Sequence, residues 1–313
     1  MSEIITLTLN PALDRTPVLE KEFFAAGKLN RIVSSRYTIG GKGLNVSRAL
    51  SLFGVSSRAF AFCGGESGEK MKSILSEEMA DKTPFELCLT RSAAPTRTNV
   101  KLMGENGEQT ELNERGGPIS EAEAAELTAS FLSSCRGAVA VMSGSVPFGI
   151  GKDIYSRLCA EAFGAGAAGV IVDCDGEALE KAVFPAASGT VPTMIKPNEK
   201  ELSLLAGEEL DREGCVSYAR KLWSERHISV LCTLGENGSF FVGGCGTVFA
   251  DAVRVEAKSF AGAGDRYLGT FLYSLCVKDR LSISSLTPAD RDRTAAAMSL
   301  AALESAKLVA NEQ

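Results

Sequence analysis

The chain contains 313 residues, of which 45% are hydrophobic and 23% charged, a composition typical of a globular protein with an ample core. The net charge of −6 and the lack of an apolar run long enough to cross a membrane argue against nucleic-acid and membrane partners. Nine scattered cysteines without a C-x-x-C pair predict reduced thiols and a cytoplasmic location, and the single histidine, His227, argues against histidine-based triads and metal sites.

The first element is an apolar run at residues 4–9, which predicts a buried strand. The segment Asn10-Pro11-Ala12-Leu13-Asp14 follows it and is interpreted as a turn at the carboxyl end of that strand, where open α/β sheets bind their ligands. Asp14 is therefore either a turn former or a ligand of a sugar hydroxyl. Residues 16–39 have mixed polarity and are expected to form strands and loops outside the main sheet.

A glycine-rich segment occupies positions 40–45, with the sequence Gly-Gly-Lys-Gly-Leu-Asn. Apolar residues at i, i+3, i+4 and i+7 from Val46 predict an amphipathic helix after it. The segment is not a Walker A loop, because Leu44 stands where Ser or Thr is required. Lys42 inside the glycine cluster makes a bound phosphate or a crowded sugar plausible, although a structural turn would use the same glycines.

Residues 96–103 and 109–113 alternate in polarity around Asn106-Gly107, which predicts a β-hairpin. The hairpin interrupts an αβ pattern and is a candidate flap. Arg97 and Lys101 fall on one face of its first strand, because their spacing matches the two-residue period. Two cations on one face either hold a phosphate or belong to the solvated face of an edge strand.

From residue 120 onward, helices and strands alternate regularly, beginning with a capping box at Ser120 and Glu123. The predicted strands are 138–142, 169–173, 193–196, 228–234 and 239–242, and the predicted helices are about 120–135, 152–163, 176–183, 198 onward, 212–225, 265–277 and 289–307. Repeated β-turn-α units with Val- and Ile-rich strands predict a mainly parallel sheet covered by helices on both faces.

The last glycine-rich turn, at 260–265, lies between a predicted strand at 247–256 and an apolar helix. Gly262 and Gly264 let backbone N–H groups point at one spot, and a helix N-terminus adds partial positive charge, so the turn is suited to an anion. Asp265 stands in this turn. A carboxylate there is either the N-cap of the helix or a base beside a phosphoryl group in transfer.

Several of these turns follow strands and are expected to gather along one edge of the sheet. They supply glycines for close approach, amides for anions and carboxylates for hydroxyls. The positions that share this edge are Asp14, 40–45, Ser143, Gly144, Asp173, Asn198, Gly235 and Asp265. The combination suits phosphoryl transfer to a polyol.

Segments along nearly the whole chain resemble the ribokinase-like (PfkB) sugar kinases. The segment 40–46 resembles the N-terminal signature of that family, and Gly262-Ala263-Gly264-Asp265 resembles its C-terminal signature. The other segments that stand in the expected order are 10–14, 29–31, 96–101, 143–147, 196–202 and 233–238. Together they resemble the branch that contains 1-phosphofructokinase and tagatose-6-phosphate kinase.

This resemblance implies a ribokinase-like three-layer α/β/α sandwich with a mainly parallel sheet and a small β-sheet lid. A single kinase domain would cover residues 1–313, with lid segments at about 15–39 and 96–115 inserted in the α/β core. Family members can pair two subunits through such a lid, so a homodimer is expected.

The resemblance also implies roles for individual residues. Asp265 would be the general base, and the amides of Gly262, Ala263 and Gly264 would hold the charge of the moving phosphoryl group. The residues implied for the sugar are Asp14, Gly40, Gly41 and Asn45, and those implied for its phosphate are Arg97 with Lys42 and, in addition, Lys28, Arg31 or Lys101. The residues implied for ATP are Lys196, Asn198, Glu201, Thr233, Gly235 and Gly238, and Asn198 and Glu201 would also organise Mg²⁺ through water.

The chain departs from the family pattern near its C-terminal signature. Phe260 stands where family members usually have Thr, and Arg266 stands where they have Ser or Ala. A cation beside Asp265 would lower the pKa of that carboxyl and make it a weaker base. Asp175 also stands where this branch often has Ser.

The implied activity is the ATP- and Mg²⁺-dependent phosphorylation of a ketohexose phosphate. The substrate is either fructose 1-phosphate, giving fructose 1,6-bisphosphate, or tagatose 6-phosphate, giving tagatose 1,6-bisphosphate. Two other functions stay open: a non-enzymatic sugar-phosphate sensor on the kinase fold, and a kinase for an unphosphorylated sugar or nucleoside. Retention of Asp265 counts against the sensor, and the cations at 42 and 97 count against the second alternative.

Overall fold

The computed structural model of the protein describes residues 3–21, 24–80, 85–104, 109–186, 189–256 and 261–310. The predicted hairpin turn at 105–108 and the departure at Phe260 lie outside these residues. Among the helices that are described, none is both long enough and apolar enough to cross a membrane.

The strands and helices follow one another in an order close to the predicted one. The strands are β1 (Ile4–Thr8), β2 (Ala12–Leu19), β3 (Ile32–Gly40), β4 (Arg58–Cys63), β5 (Glu86–Arg91), β6 (Arg97–Met103), β7 (Gln109–Asn113), β8 (Val139–Ser143), β9 (Gly169–Asp173), β10 (Met194–Ile195), β11 (Ser229–Thr233), β12 (Ser239–Gly243) and β13 (Gly246–Ala250). The helices are α1 (Lys42–Ser51), α2 (Gly65–Ala80), α3 (Glu121–Ser133), α4 (Ile154–Gly164), α5 (Gly176–Val183), α6 (Glu199–Ala206), α7 (Arg212–Arg226), α8 (Ala263–Leu272) and α9 (Arg291–Ala310).

Within the part of the chain that the structure describes, nine strands form the main sheet, in the order β13-β12-β11-β10-β9-β8-β1-β4-β5. The pairs from β5 to β11 are parallel, and β12 and β13 are added antiparallel at one edge. The apolar run of β9 is unbroken because both faces of the strand are buried. Val170 and Val172 pack into one core cluster, and Ile171 packs into the cluster on the opposite face. Helices cover both faces, which confirms the predicted three-layer α/β/α fold.

Four strands form a second sheet in the order β3-β2-β6-β7, here called the small sheet. Asp14 lies within β2, opposite Thr38 on one side and Asn99 on the other. The interpretation of 10–14 as a turn was therefore wrong beyond Pro11, because strand pairing to two neighbours extends the backbone from Ala12 onward. The expected strands outside the main sheet within 16–39 are confirmed.

Two strand assignments from the sequence differ from the structure. The predicted strand at 247–256 ends at Ala250, because residues 251–256 have no strand pairing and are mostly exposed. Strand β5 was not predicted, since its half-exposed sequence of mixed polarity lacks the apolar run of a central strand. The chain after β13 therefore reaches the glycine turn through extended residues outside the sheet.

Candidate active site

Asp265 is buried at the start of α8, with 7% of its surface exposed. Gly262, at φ 77°, is the N-cap of this helix, and no side chain caps it. Asp265 is the third helical residue, and its Oδ2 accepts a hydrogen bond of 2.7 Å from Asn45 Nδ2 on α1. The N-cap interpretation of Asp265 was wrong, because the residue that begins the helix in the left-handed conformation is Gly262, three residues earlier.

The environment of Asp265 favours its protonated form more than water does. Burial, with help from the negative charge of Asp173, raises the pKa of Asp265 from an ordinary value of 3.8 to about 6, against the hydrogen bond from Asn45 and the charges of Lys42 and Lys196. A carboxyl with this pKa is ionised at neutral pH and is a stronger base than an exposed aspartate.

The pKa of Asp265 is raised rather than lowered, so the expectation that Arg266 would make this carboxyl a weaker base was wrong. The Arg266 guanidinium lies 3.7 Å from Glu304 Oε2 on α9, which partly neutralises it. Burial lowers the pKa of Arg266 itself. Because Arg266 follows Asp265 on a helix, the two side chains leave the axis about 100° apart, and their directions separate the charges.

Asp173 is fully buried at the carboxyl end of β9 and holds two lysines. Lys42 Nζ lies 2.9 Å from Asp173 Oδ1, and Lys196 Nζ lies 3.3 Å from Oδ2. Burial opposes the ionised form of Asp173, but the charges of Lys196 and Lys42 outweigh it and lower the pKa of this carboxyl. Burial likewise opposes the charge of Lys42, yet Asp173 and Glu201 raise the pKa of its ammonium. The result is a network with a net positive charge beside Asp265.

The glycine turn before α8 lies against one of these lysines. A Cβ added to Gly264 would stand 3.3 Å from Lys196 Nζ, so the ammonium lies directly over the backbone of the turn. The amides of Gly262, Ala263 and Gly264 belong to the first turn of a helix, which makes no intrahelical hydrogen bonds through its first N–H groups. Amides and ammonium together form a place for a polyanion.

Asp14 organises a second cluster where the small sheet meets α1. Its Oδ1 accepts a hydrogen bond of 2.8 Å from Asn99 Nδ2, and its Oδ2 accepts one of 2.7 Å from Lys101 Nζ. A Cβ at Gly40 would come within 2.7 Å of Asp14 Oδ1, so this position requires glycine. Gly41 follows at φ 141° and is the N-cap of α1. The segment 40–45 therefore places Gly40 against Asp14 at one end and Asn45 of α1 at the other.

Comparison with known proteins identifies the family. Residues 8–285 match the pfkB family of carbohydrate kinases. The chain is 34% identical over 270 residues to the 1-phosphofructokinase of Bacillus subtilis (strain 168), covering 86% of this chain and 84% of the relative. It is 31% identical over 273 residues to the 1-phosphofructokinase of Borreliella burgdorferi, covering 87% and 84%. The crystal structure of phosphofructokinase-2 from Escherichia coli in complex with potassium superposes with a TM-score of 0.85 at 28% identity, over 100% of this chain and 94% of that one.

The chain belongs to the pfkB family of carbohydrate kinases. It is therefore a phosphotransferase that acts on an alcohol group. The two glycine turns open α1 and α8, and these two helices pack against each other.

Arg97 of the kinase, which was predicted to bind the sugar phosphate, donates hydrogen bonds to two backbone carbonyls. Its Nε and NH2 donate hydrogen bonds of 3.2 and 3.1 Å to the carbonyl oxygen of Asn10. Its NH1 donates a hydrogen bond of 3.1 Å to the carbonyl oxygen of Glu114. Lys42 pairs with Asp173, whereas Asp14 and Glu114 are the carboxylates that act on Arg97, so the two cations share no partner. Lys42 and Arg97 are therefore held by different partners, and their joint binding of a phosphate stays a prediction.

Lys28 and Arg31 of the kinase are exposed ahead of β3 and form no ion pair with another described residue. The turn that holds Lys28 is joined by Asn30, whose side chain bonds to the backbone of Ala25 and Lys28. Neither cation contributes to the Asp14 cluster, which takes its positive charge from Lys101.

The residues predicted for the nucleotide lie side by side in the kinase. Asn198 and Thr233 form a parallel bridge, and Asn198 follows Lys196 by two positions. Asn198 Oδ1 accepts a hydrogen bond of 2.9 Å from the backbone N–H of Glu201, and Glu201 Oε2 accepts one of 2.9 Å from the backbone N–H of Asn198. The pair is therefore a capping box for α6. The predicted metal pair is thus held in a fixed orientation at a helix N-terminus.

The two glycines near the end of β11 have different structural roles. Gly235, at φ 58°, opens a short 3-10 turn, and a Cβ there would meet no atom within 4 Å. A Cβ at Gly238 would clash with the carbonyl of Ala250, so Gly238 is required where β12 starts against β13. Gly235 faces open space and can adjoin a nucleotide; Gly238 shapes the turn.

Three residues of this kinase were given no role on the basis of the sequence: Asn99, Asp173 and Arg48. Asn99 lies two positions from Arg97 and so shares its face of β6, a signal that the strand period carries. Asp173 ends a strand on the predicted edge, which the sequence did indicate without a role. Arg48 lies three residues after Asn45 on α1, and helical spacing places the two on one face.

Proposed function

We propose that this kinase transfers the γ-phosphoryl group of ATP to the free primary hydroxyl of fructose 1-phosphate, giving fructose 1,6-bisphosphate. Two relatives at 34% and 31% identity are 1-phosphofructokinases. The single observation that carries the proposal is the buried Asp265 at the open N-terminus of α8, held by Asn45 beside Lys42 and Lys196. Tagatose 6-phosphate, with the phosphate at the other end of the sugar, is the competing substrate.

Asp265 would act as the general base. Its ionised carboxylate takes the proton of the sugar hydroxyl as the hydroxyl oxygen forms a bond to the γ-phosphorus. The bond between that phosphorus and the β,γ-bridging oxygen breaks, and its electron pair leaves with ADP. A pKa of about 6 leaves the base ionised at neutral pH while making it a better proton acceptor than an exposed aspartate.

The charge on the moving phosphoryl group would be met by the first-turn amides of α8 and by Lys196. Lys196 Nζ lies over the backbone at Gly264, and Asp173 holds the ammonium in that place. We assign Lys42 to the same end of the site, because its electrostatic partners include Asp173, Glu201 and Asp265. Preorganised donors of this kind stabilise the transition state without reorganising during transfer.

A magnesium ion fits the donor set near the start of α6. Glu201 uses only Oε2 in the capping box, so within the described residues its second oxygen takes no hydrogen bond and is free to bind a water of the ion. Asn198 and Glu201 would hold hydrated Mg²⁺, which neutralises the charge of the ATP phosphates. Thr233 and Gly235 would adjoin the nucleotide.

The sugar would bind between Asp14 and Asn45, with Gly40 and Gly41 allowing close approach. Asp14 retains acceptor capacity beyond its bonds from Asn99 and Lys101. Arg97 and Lys101 are the candidates for the phosphate already on the sugar, with Lys101 reaching the Asp14 cluster directly. Closure of the small sheet over the sugar would complete the site.

A coupled assay of ADP release tests the activity. We expect turnover with Mg-ATP on fructose 1-phosphate above tagatose 6-phosphate, fructose 6-phosphate, fructose and ribose. Asp265→Asn should lower kcat by about three orders of magnitude, the usual worth of a positioned base. Turnover only on an unphosphorylated sugar would overturn the substrate assignment.

The same assay separates the kinase from a sensor. A sensor would bind the sugar phosphate tightly and release no ADP on any member of the panel. Arg58→Met serves as the control for general damage, because Arg58 pairs with Glu3 far along the sheet and belongs to none of the proposed contacts.

We further propose that a second copy of the chain packs against the small sheet. Strand β3 exposes Ile32 and Val33 at 47% and 64%, and β7 exposes Leu112 at 56%. Apolar side chains exposed on a short sheet are stabilised by burial against a partner. A homodimer would cover this face.

A further inference from the structure

Arg48, on α1, joins the small sheet, α2 and the site through one guanidinium. Its NH1 donates a hydrogen bond of 2.8 Å to the carbonyl oxygen of Ile39 on β3 and another of 2.8 Å to Asn45 Oδ1. Its Nε donates 2.9 Å to Glu78 Oε2 on α2, and its NH2 lies 2.9 Å from the same oxygen. Three separate anchors therefore hold a side chain that is only 26% exposed.

These contacts decide which way the amide of Asn45 faces. A guanidinium can only donate, so the amide atom beside Arg48 has to be the oxygen. The nitrogen of the same amide then points to Asp265 Oδ2, 2.7 Å away. If the amide turned by 180°, its N–H groups would face the N–H groups of Arg48 and its oxygen would face the Asp265 carboxylate. Both hydrogen bonds would then be lost.

We propose that Arg48 is a positioning residue that locks the Asn45 amide with its N–H toward Asp265, so that the carboxylate is kept ionised and oriented toward the sugar hydroxyl. The proposal rests on the proposed role of Asp265 as the base. It adds a residue that touches neither sugar nor nucleotide and acts through Asn45.

The orientation of the Asn45 amide matters because the groups around Asp265 have opposing effects on its ionisation. Burial and the charge of Asp173 favour the protonated carboxyl, while Lys42, Lys196 and the Asn45 hydrogen bond favour the carboxylate. Without Arg48 the amide is free to turn and present its oxygen to a protonated carboxyl, which stabilises the inactive form. With Arg48 in place that arrangement sets the guanidinium against an amide N–H.

The direct test follows the carboxyl of Asp265 by ¹³C NMR in the free protein, with Asp265→Asn identifying its resonance. Substrate phosphates titrate near pH 6 as well, so a measurement without substrate avoids their contribution. We expect Arg48→Met to raise the titration midpoint of Asp265 by about one pH unit, the worth of one hydrogen bond to a charged group. Arg48→Lys, which keeps one charged donor, should shift it less, and Arg58→Met should leave it unchanged.

A double-mutant cycle tests whether Arg48 acts through Asn45. In an Asn45→Ala background Arg48→Met should add almost no further shift, because the amide that it orients is gone. At pH 7 Arg48→Met should lower kcat about tenfold, with a smaller change in KM for the sugar phosphate, since the residue does not touch the sugar. An unchanged midpoint in Arg48→Met, or an equal shift in both backgrounds, overturns the proposal.

Failure of the proposed base and failure of the lock give different results. If Asp265→Asn retains activity, Asp265 is not the base, yet the NMR titration still shows whether Arg48 controls its ionisation. Should Arg48→Met not fold, Glu78→Gln releases one anchor of the guanidinium and is expected to shift the midpoint in the same direction by a smaller amount. A midpoint identical to that of the unmodified protein in Glu78→Gln and Arg48→Lys would then overturn the proposal.

Discussion

Asp265 carries a structural cost that its chemistry requires. An ordinary aspartate is more stable exposed, but this one lies buried with another carboxylate, Asp173, among the charges that act on it. The folded state therefore holds its proton more tightly than the unfolded chain does. The same burial that makes the carboxyl a better base makes its ionised form a source of instability.

We expect Asp265→Asn to stabilise the protein at neutral pH while lowering its activity by about three orders of magnitude. The pKa of Asp265 rises from 3.8 to about 6 on folding, so stability falls as pH rises through that window, and the ionised form costs about 1–3 kcal/mol above it. A neutral amide avoids this cost. Thermal unfolding at pH 7.5 and pH 4 should show a gain for the variant that is largest at pH 7.5, and a loss of stability at pH 7.5 would contradict the burial argument.

We expect Asp173→Asn to lower the pKa of Asp265. The substitution removes the negative charge that raises this pKa and leaves Lys42 and Lys196 without their carboxylate partner. The ¹³C titration of Asp265 measures the shift directly. Asp175→Asn is the matched control, because Asp175 is exposed and its side chain does not cap α5; a midpoint that rises in Asp173→Asn would show that the lysines move away.

At the scale of the elements, two helix N-termini and one strand end supply the site. The segment before α1 places Gly40 against Asp14 of β2, and the first turn of α8 places Gly264 against Lys196. In each case a glycine lets backbone approach a charged side chain that a Cβ would displace. The glycine turns are thus contacts between elements as well as the starts of helices.

We expect Gly40→Ala to raise KM for the sugar phosphate about tenfold or more with a smaller effect on kcat. Its Cβ would stand 2.7 Å from Asp14 Oδ1, so Asp14 has to move out of its bonds with Asn99 and Lys101. Steady-state kinetics with fructose 1-phosphate measure the effect. Gly164→Ala is the control, because a Cβ there meets nothing within 4 Å; equal KM values in both variants would remove Asp14 from the sugar site.

At the scale of the whole molecule, the proposed function would assign catalysis to the main sheet and closure over the sugar to the small sheet. The main sheet carries Asp173 and leads into Lys196, whereas the small sheet carries Asp14 and Lys101. Asp173 and Lys196 are both buried. The small sheet exposes much of β3 and β7, which suits an element that covers a ligand on one face and a partner subunit on the other.

We expect the protein to sediment as a dimer and Val33→Glu to shift it to monomers. Val33 is 64% exposed on β3, and a buried carboxylate at a subunit contact would be strongly unfavourable. Analytical ultracentrifugation at micromolar concentration measures the change. Leu204→Glu, at a residue 73% exposed on α6, should leave the dimer intact; the same sedimentation for all three proteins would exclude the small sheet as the interface.

Local patterns were enough to predict most of the main sheet and its helices. The apolar runs at β8, β9 and β11 and the capping box of α3 depend on neighbours a few residues away, so the sequence contains their whole cause. The two glycine turns and Asp265 were also recognised from order along the chain.

Tertiary structure alone decided which charges meet. Lys42 and Asp173 are 131 residues apart in sequence, and Asn45 and Asp265 are 220 residues apart, so no local pattern could pair them. Sequence analysis assigned Lys42 and Arg97 to a sugar phosphate but gave neither a partner within the protein; the fold pairs Lys42 with a buried carboxylate and Arg97 with backbone carbonyls. Residue types and their order thus determined the fold and the chemistry available, whereas long-range packing determined each partner, and with it the pKa of Asp265.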